Sequence, residues 1–374
     1  MIIESIHAWD EDFISSFVNF KNSIYVHHKD YIFEEISEFQ AMLKADAPFN
    51  FHNKWQAFLI RNESDQKITG RVFCSTRTDQ FKQKEFLPFG YFEALNLEVA
   101  EKLITLVEEF AKNEGYDYIR GPIQGNVFNS SRWIIKQERR PFLTEPVQRK
   151  KYIGYLSKIG FKQNEFWIST EYGFWDRLKS IKDVFITKKA KKFKQNNYHF
   201  RQLDKENWDT ECIIFYDLLM DSFREMKDVE QVTYEEFKVW IDRLKPLINP
   251  KNCLILQHHG VDAAFICAIS DVRAEIAKLA KSNSWWQKLK YLLKYKYSFG
   301  RILVLYLGKK SDLGGEIPKA GPALCKELAK NNYYFLFNNL IFGYMNQNSK
   351  SLAVSPDHFQ VISEYATYEK KIIS

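Results

Sequence analysis

The chain has 374 residues, 45% hydrophobic, 27% charged and 16% aromatic, which is too long for one ordinary core and too rich in aromatics for a disordered chain. Its net charge of +7 permits anionic ligands such as phosphates but does not demand nucleic acid. No apolar run approaches the about 20 residues of a membrane-crossing helix.

The opening residues, Met1 to His7, lack the basic-then-apolar pattern of a secretion signal, so a cytoplasmic protein is expected. Cys74, Cys212, Cys253, Cys267 and Cys325 are scattered and form no Cys-x-x-Cys pair. Reduced, buried thiols are therefore expected, not disulfides or zinc.

In chain order, helices are predicted near Glu11–Phe20 and Phe33–Leu43. A hairpin follows, with strands at 55–60 and 68–74 around a polar turn. Residues 96–115 are the clearest helix. Asn96 suits its N-cap, Val99, Leu103, Leu106, Val107 and Phe110 make an apolar stripe, and Gly115 ends it. A short strand at Tyr116–Ile119, a loop over 121–131, a helix from Pro146 to Ile159 stopped by Gly160, and a strand at Phe166–Thr170 complete the first half. The basic run 188–197 marks the boundary. The second half is predicted to hold a strand at His199–Leu203 and helices at Asp209–Phe223 and Tyr234–Leu244. A strand pair at 253–257 and 263–269, a strong strand at 301–307, a helix starting near Pro322 and a strand near Tyr334–Phe337 follow.

The halves echo each other. Ala111-Lys112-Asn113 precedes a strand in one, and Ala329-Lys330-Asn331 does so in the other; at the same offset Gly125 matches Gly343 and Ser131 matches Ser349. With the shared order of elements, this reads as internal duplication of one α/β unit.

That order, together with Phe89-Gly90-Tyr91-Phe92-Glu93, Arg120-Gly121-Pro122, Tyr152 to Phe161, Leu244-Lys245-Pro246, Val304 to Gly308 and Glu364 to Lys370, resembles the GNAT N-acetyltransferase family, specifically its bacterial tandem members. The resemblance covers most of the chain. It implies an α/β (α+β) fold of two tandem GNAT-like, acyl-CoA N-acyltransferase domains, each a mixed, mostly antiparallel twisted sheet with helices on both sides. The expected division is an N-terminal domain over 1–185, a basic linker over 186–195 and a C-terminal domain over 196–374.

The resemblance also implies a site. In such proteins a splayed strand pairs with the pantetheine amides of acyl-CoA, and a glycine-rich loop opening a helix binds the pyrophosphate. The acceptor amine attacks the thioester, and a tyrosine often protonates the leaving thiolate. The second half carries the matching pattern. Leu303 to Leu307 is the expected pantetheine strand, with Leu305, Leu307, Gly308 and Lys309 against the cofactor. Gly314, Gly315, Lys319, Ala320 and Gly321 are the expected pyrophosphate contacts, and Tyr344 is the nearest hydroxyl for an acid. The family's usual Arg-x-x-Gly-x-Gly pattern is absent; Glu316 and Lys319 stand near the places of its Arg and Gly. In the first half the strand runs through Asn96 directly into its helix, which leaves no phosphate loop. That half is expected to serve as scaffold or substrate wall, with Tyr152 as core packing.

The pairs His27-His28 and His258-His259 have no acidic partner at ligand spacing, so no metal is expected. Cys325 has no evident His–acid relay. In residues 284–297, Trp285, Leu289, Leu292 and Leu293 form a stripe among Lys288, Lys290, Lys294 and Lys296. Such a helix can lie on a membrane. The reading adopted is a helix packed on its own domain, with Trp285 or Trp286 substantially buried and the protein soluble.

The function implied is acyl-CoA-dependent N-acyl transfer, most simply of acetyl, to an amine of a small molecule or peptide. No stable nucleic-acid binding and no membrane span are expected. Two other classes fit the same fold: a non-catalytic scaffold with degenerate domains, and an aminoacyl-transferase-like protein using aminoacyl-tRNA.

Overall fold

A computed structural model describes residues 1–76, 86–126, 128–173, 198–224, 232–281, 284–298, 300–313, 320–331, 339–347 and 360–372. The chain forms two compact units. The first comprises Met1–Gln137, Thr144–Phe166 and Tyr365–Ser374, and the second comprises Glu138–Leu143 and Trp167–Glu364.

In the first unit, β1 (Ile2–Ile6), α1 (Glu11–Tyr25), α2 (Ile36–Leu43) and α3 (Pro48–His52) lead into the hairpin β2 (Trp55–Arg61) and β3 (Ile68–Ser75). Then come β4 (Leu87–Ala94), α4 (Leu97–Asn113), β5 (Tyr118–Gly121), β6 (Trp133–Gln137), α5 (Lys151–Ile159) and the start of β7 (Lys162–Tyr172). The sheet runs β1-β2-β3-β4-β5 and is closed by β13 (Gln360–Lys371), the chain's last strand. Every pairing along it is antiparallel except β4 with β5. Arg120 reaches Glu369 at 2.6 Å and Lys370 reaches Glu108 at 2.6 Å, which fixes β13 in register.

Local chemistry explains these elements. The Asn96 side chain accepts from the Val99 N–H, capping α4 as predicted. Val99, Leu103 and Val107 are buried in the core with Phe58, Val72 and Leu87, each worth about 1.5–3 kcal/mol of burial. A Cβ at Gly70 would meet Val99 and Leu103, so this glycine sets how closely α4 approaches β3. Gly160 ends α5 at φ 98°, a conformation other residues adopt at a cost. Two helices start later than predicted. Asn22 clasps both backbone groups of Glu34, holding residues before Ile36 extended. Buried Glu145, bonded to Gln137 and the Tyr365 hydroxyl, does the same ahead of α5.

The second unit contains β8 (Tyr198–Gln202), α6 (Trp208–Phe223), α7 (Tyr234–Leu244), β9 (Ile248–His258), β10 (Val261–Ser270), α8 (Arg273–Leu279) and α9 (Trp285–Tyr297). β11 (Arg301–Lys309), α10 (Ala320–Asn331) and β12 (Asn339–Asn346) follow. Its sheet runs β7-β12-β11-β10-β9-β8, antiparallel except between β11 and β12. The predicted strand near Tyr334–Phe337 lies outside the described residues.

The units repeat one plan: helices, a hairpin, a third strand, a helix, then a strand parallel to the third. The two Ala-Lys-Asn echoes end equivalent helices, α4 and α10. The compact units do not coincide with the sequence halves. β7 from Trp167 onward pairs with β12 in the second unit, and β13 from Tyr365 onward pairs with β5 in the first. Residues 186–195, the expected linker, lie outside the described residues.

One expectation is corrected. Trp285 and Trp286 are 63% and 66% exposed, and α9 has no buried residue. The helix attaches through its polar side instead, by Lys294 to Glu275 at 3.0 Å and the Tyr295 hydroxyl to the Ile248 carbonyl.

Candidate functional site

In the second unit, β11 and β12 pair from Arg301↔Asn339 to Val304↔Phe342, and the ladder stops there. From that point β11 keeps its antiparallel register with β10 as far as Lys309. A bulge falls at Leu305, because Val304 and Tyr306 face the consecutive residues Ala268 and Cys267. On the other arm Tyr344 takes φ 55°, and the register of β12 with β7 shifts between Phe342 and Met345. Two parallel strands therefore part at their C-terminal ends.

Leu305, Leu307 and Lys309 lie on the arm of β11 beyond the ladder, all partly exposed. Gly308 has a packing cause: a Cβ there would collide with the Ser222 hydroxyl of α6 and meet the Phe265 ring. Ser222 in turn donates to the Lys309 carbonyl at 3.2 Å. After β11, Asp221 accepts from the Ser311 N–H at 2.6 Å, tying the start of the loop to α6. Gly314, Gly315, Glu316 and Lys319 lie outside the described residues. Ala320 is buried and opens α10, with Gly321 and Pro322 in its first turn as predicted. Leu324 and Leu328 seat that helix on β9, β10 and β11. Its first backbone N–H groups have no partners within the helix. Tyr344 is on the parting arm of β12, partly buried, with its ring 5.4 Å from Phe142 and its N–H on the Ser169 hydroxyl.

The first unit has the same parting and fills it. β4 and β5 pair only at Leu87↔Ile119 and Pro88↔Arg120, and Tyr91 at φ 48° marks the bulge. The chain after β5 then turns back against β4. The Ile123 N–H donates to the Phe89 carbonyl at 2.7 Å, and a Cβ at Gly90 would collide with the Ile123 backbone.

Beneath lies a buried polar cluster that sequence reasoning missed. Glu93 is 3% exposed and accepts at one oxygen from Tyr25 (3.0 Å) and Tyr152 (2.6 Å). Burial raises the Glu93 pKa against the pull of Lys21 and Arg71. Arg71 is fully buried. It donates to the Phe17 carbonyl at 2.7 Å and to Glu34 at 2.9 Å, and its guanidinium lies 4.8 Å from the Phe17 ring. Lys21 also reaches Glu34, at 2.8 Å. Burial alone would raise the Glu34 pKa, but Arg71 and Lys21 outweigh it and hold the carboxylate at about 2. Burial pushes Tyr25 and Tyr152 above the ordinary tyrosine range, and Glu93 pushes them further. Tyr152 is core, as expected, but it is core with a carboxylate partner.

Among the described residues no group of three metal-ligating side chains gathers, and no helix is long and apolar enough to cross a membrane. Cys74, Cys212, Cys253 and Cys267 are buried and all five cysteines are free.

No family model matches the sequence. Protein YghO of Escherichia coli (strain K12) is 23% identical over 292 residues, covering 75% of this chain and 72% of that protein. Among solved structures, a tandem GNAT protein from the clavulanic acid biosynthesis pathway superposes with TM-score 0.53 at 7% identity, covering 100% of this chain and 99% of that one. A GCN5-related N-acetyltransferase from Anabaena variabilis gives TM-score 0.54 at 8% identity, covering 100% of this chain and 73% of that one. One from Sphaerobacter thermophilus gives 0.50 at 8%, covering 100% and 96%. The parted parallel strands, the helix between them and the repetition of this plan agree with those likenesses: the chain has the fold of the tandem GNAT acetyltransferases.

Proposed function

We propose that the second unit binds an acyl-CoA and transfers its acyl group, most simply acetyl, to an amine of a small molecule or peptide. The observation that carries this reading is the end of the β11–β12 ladder at Val304↔Phe342, with the bulge at Leu305. A pantetheine chain would lie along Leu305 to Leu307, since Leu303 and Val304 are already paired with both neighbouring strands, and its amides would pair with the free backbone as a strand does. Gly308 and Lys309 would border it. Gly314, Gly315, Lys319, Ala320 and Gly321 would take the pyrophosphate, at the first turn of α10 and its positive dipole end. The acceptor nitrogen forms its bond to the thioester carbonyl carbon and gives up a proton to solvent, the carbon–sulfur bond breaks, and the leaving thiolate takes a proton. Tyr344, on the parting arm, is the proposed donor.

The first unit is proposed as a non-binding partner domain. Ile123 and Gln124 crossing Gly90 support this, as does Asn96 capping α4 directly after β4.

Calorimetric titration of acetyl-CoA tests the proposal. Lys319→Ala should weaken binding at least several-fold, by about 1.5–3 kcal/mol if the lysine meets phosphate. Lys102→Ala, on α4, should leave it unchanged. Equal losses, or no binding by the unmodified chain, would overturn the reading; the latter would leave a scaffold built on a decayed fold.

A further inference from the structure

We infer that α9 is a docking element for an anionic phospholipid surface. At about 100° per residue, Trp285, Trp286, Leu289, Leu292, Leu293 and Tyr297 share one side of the helix. All except Leu289, which is half-buried, are exposed, from 42% at Tyr297 to 66% at Trp286. Lys288 and Lys290 flank this stripe and Lys296 lies within it near the end; all three are exposed. The opposite side is polar and faces the protein. Lys294 pairs with Glu275, the Tyr295 hydroxyl bonds the Ile248 carbonyl, Tyr291 stacks on Tyr295 at 6.4 Å, and the Gln287 amide oxygen is buried. An ordinary surface helix turns its apolar side to the core; α9 turns that side outward.

Charge selects the occupant. No Asp or Glu occurs between Glu275 and Asp312, a stretch carrying nine lysines and arginines. Two copies of this face brought together would oppose their own lysine rows, which disfavours a symmetric dimer. An anionic bilayer satisfies both features: acyl chains take the Leu and Trp side chains, and headgroups take the lysines. The adjacent Trp285 and Trp286 rings, 4.7 Å apart, suit the headgroup boundary, where aromatic side chains with a polar edge settle.

Flotation of the full chain with vesicles of phosphatidylglycerol and phosphatidylcholine, and with phosphatidylcholine alone, tests this. The chain should float with the anionic vesicles at low salt, lose binding as salt rises, and stay behind with the zwitterionic ones. Neutralising Lys288 and Lys290 by Lys288→Ala and Lys290→Ala should weaken binding roughly fivefold per lysine. The pair Trp285→Ser and Trp286→Ser should remove most of it without lowering the unfolding temperature, since both side chains are exposed. Lipids brominated in their acyl chains should quench tryptophan fluorescence in the parent more than in that double variant. No flotation at low salt would overturn the inference. So would flotation indifferent to both pairs of substitutions, or a dimer in light scattering that the Trp variant dissociates while vesicles bind nothing.

Discussion

Arg71 is the side chain on which the first unit's buried polar groups turn. It is fully enclosed, bonded to the Phe17 carbonyl and Glu34, and lies against two aromatic rings. Replacing it by Met leaves Glu34 with Lys21 alone and orphans a buried carbonyl. The expected loss is about 3 kcal/mol or more, read by urea unfolding, because breaking a buried pair costs more than the pair contributes. Glu34 gives a pH signature. Its folded-state pKa of about 2 lies below the ordinary carboxylate value, so the unfolded chain binds the proton first. The stability it contributes is present above the ordinary value and is lost as pH falls toward about 2. Glu93 has the opposite sign: its pKa is raised, so its contribution is greatest at low pH and declines as pH rises through the folded value. Glu34→Gln should therefore flatten the acid side of the stability curve, and an unchanged acid limb would contradict the assignment. None of this cluster was legible in the sequence. Tyr25 and Tyr152 stand 68 and 59 residues from Glu93, and no local pattern reports such a meeting.

At the scale of elements, the sequence was most informative where the signal is local. Asn96, Gly160 and the apolar stripe of α4 determine their helix ends and inward faces by short-range sterics and hydrogen bonding, and the structure follows them. The parting of β11 from β12 left only an indirect trace, the strong apolar strand followed by a glycine-bearing loop. Alternation tells which face is buried, not where a ladder stops. The meaning of α9 was legible in composition but not in direction, because helix periodicity does not say which side meets the protein. Two glycines now make separable predictions. Gly90→Ala must push back the Ile123 backbone, which has little room to move, and should cost about 1–3 kcal/mol in thermal or urea unfolding. Gly308→Ala meets the Ser222 hydroxyl, which can rotate, but also the buried Phe265 ring. It should destabilise as well, and acetyl-CoA binding should fall little further than stability does. A selective loss of binding with stability intact would show that Gly308 is required by the bordering ligand and not by its packing on α6.

For the whole molecule, the consequence of the topology is that neither half of the sequence carries a complete unit. A fragment of residues 198–374 lacks Thr170 to Tyr172, the partners of Leu340 to Phe342 on the side away from β11, and so exposes one edge of an apolar strand. It should aggregate or show no cooperative unfolding transition; a soluble fragment with a sharp transition would contradict the division. The duplication itself was legible, through the Ala-Lys-Asn echo and the order of elements. The exchange of closing strands was not, because pairing partners far apart in sequence leave no periodic mark. Among the described residues, the two copies differ after their parted strands: in the first, Ile123 crosses Gly90 and Asn96 caps α4 directly after β4, whereas in the second, residues 310–319 separate β11 from α10. Backbone hydrogen exchange of the full chain, with and without acetyl-CoA, measures that difference most directly. The account predicts slowed exchange over Leu305–Lys309 and the first turn of α10, with Leu87–Ala94 unchanged. Protection at Leu87–Ala94, or protection in neither segment at saturating acetyl-CoA, would contradict it.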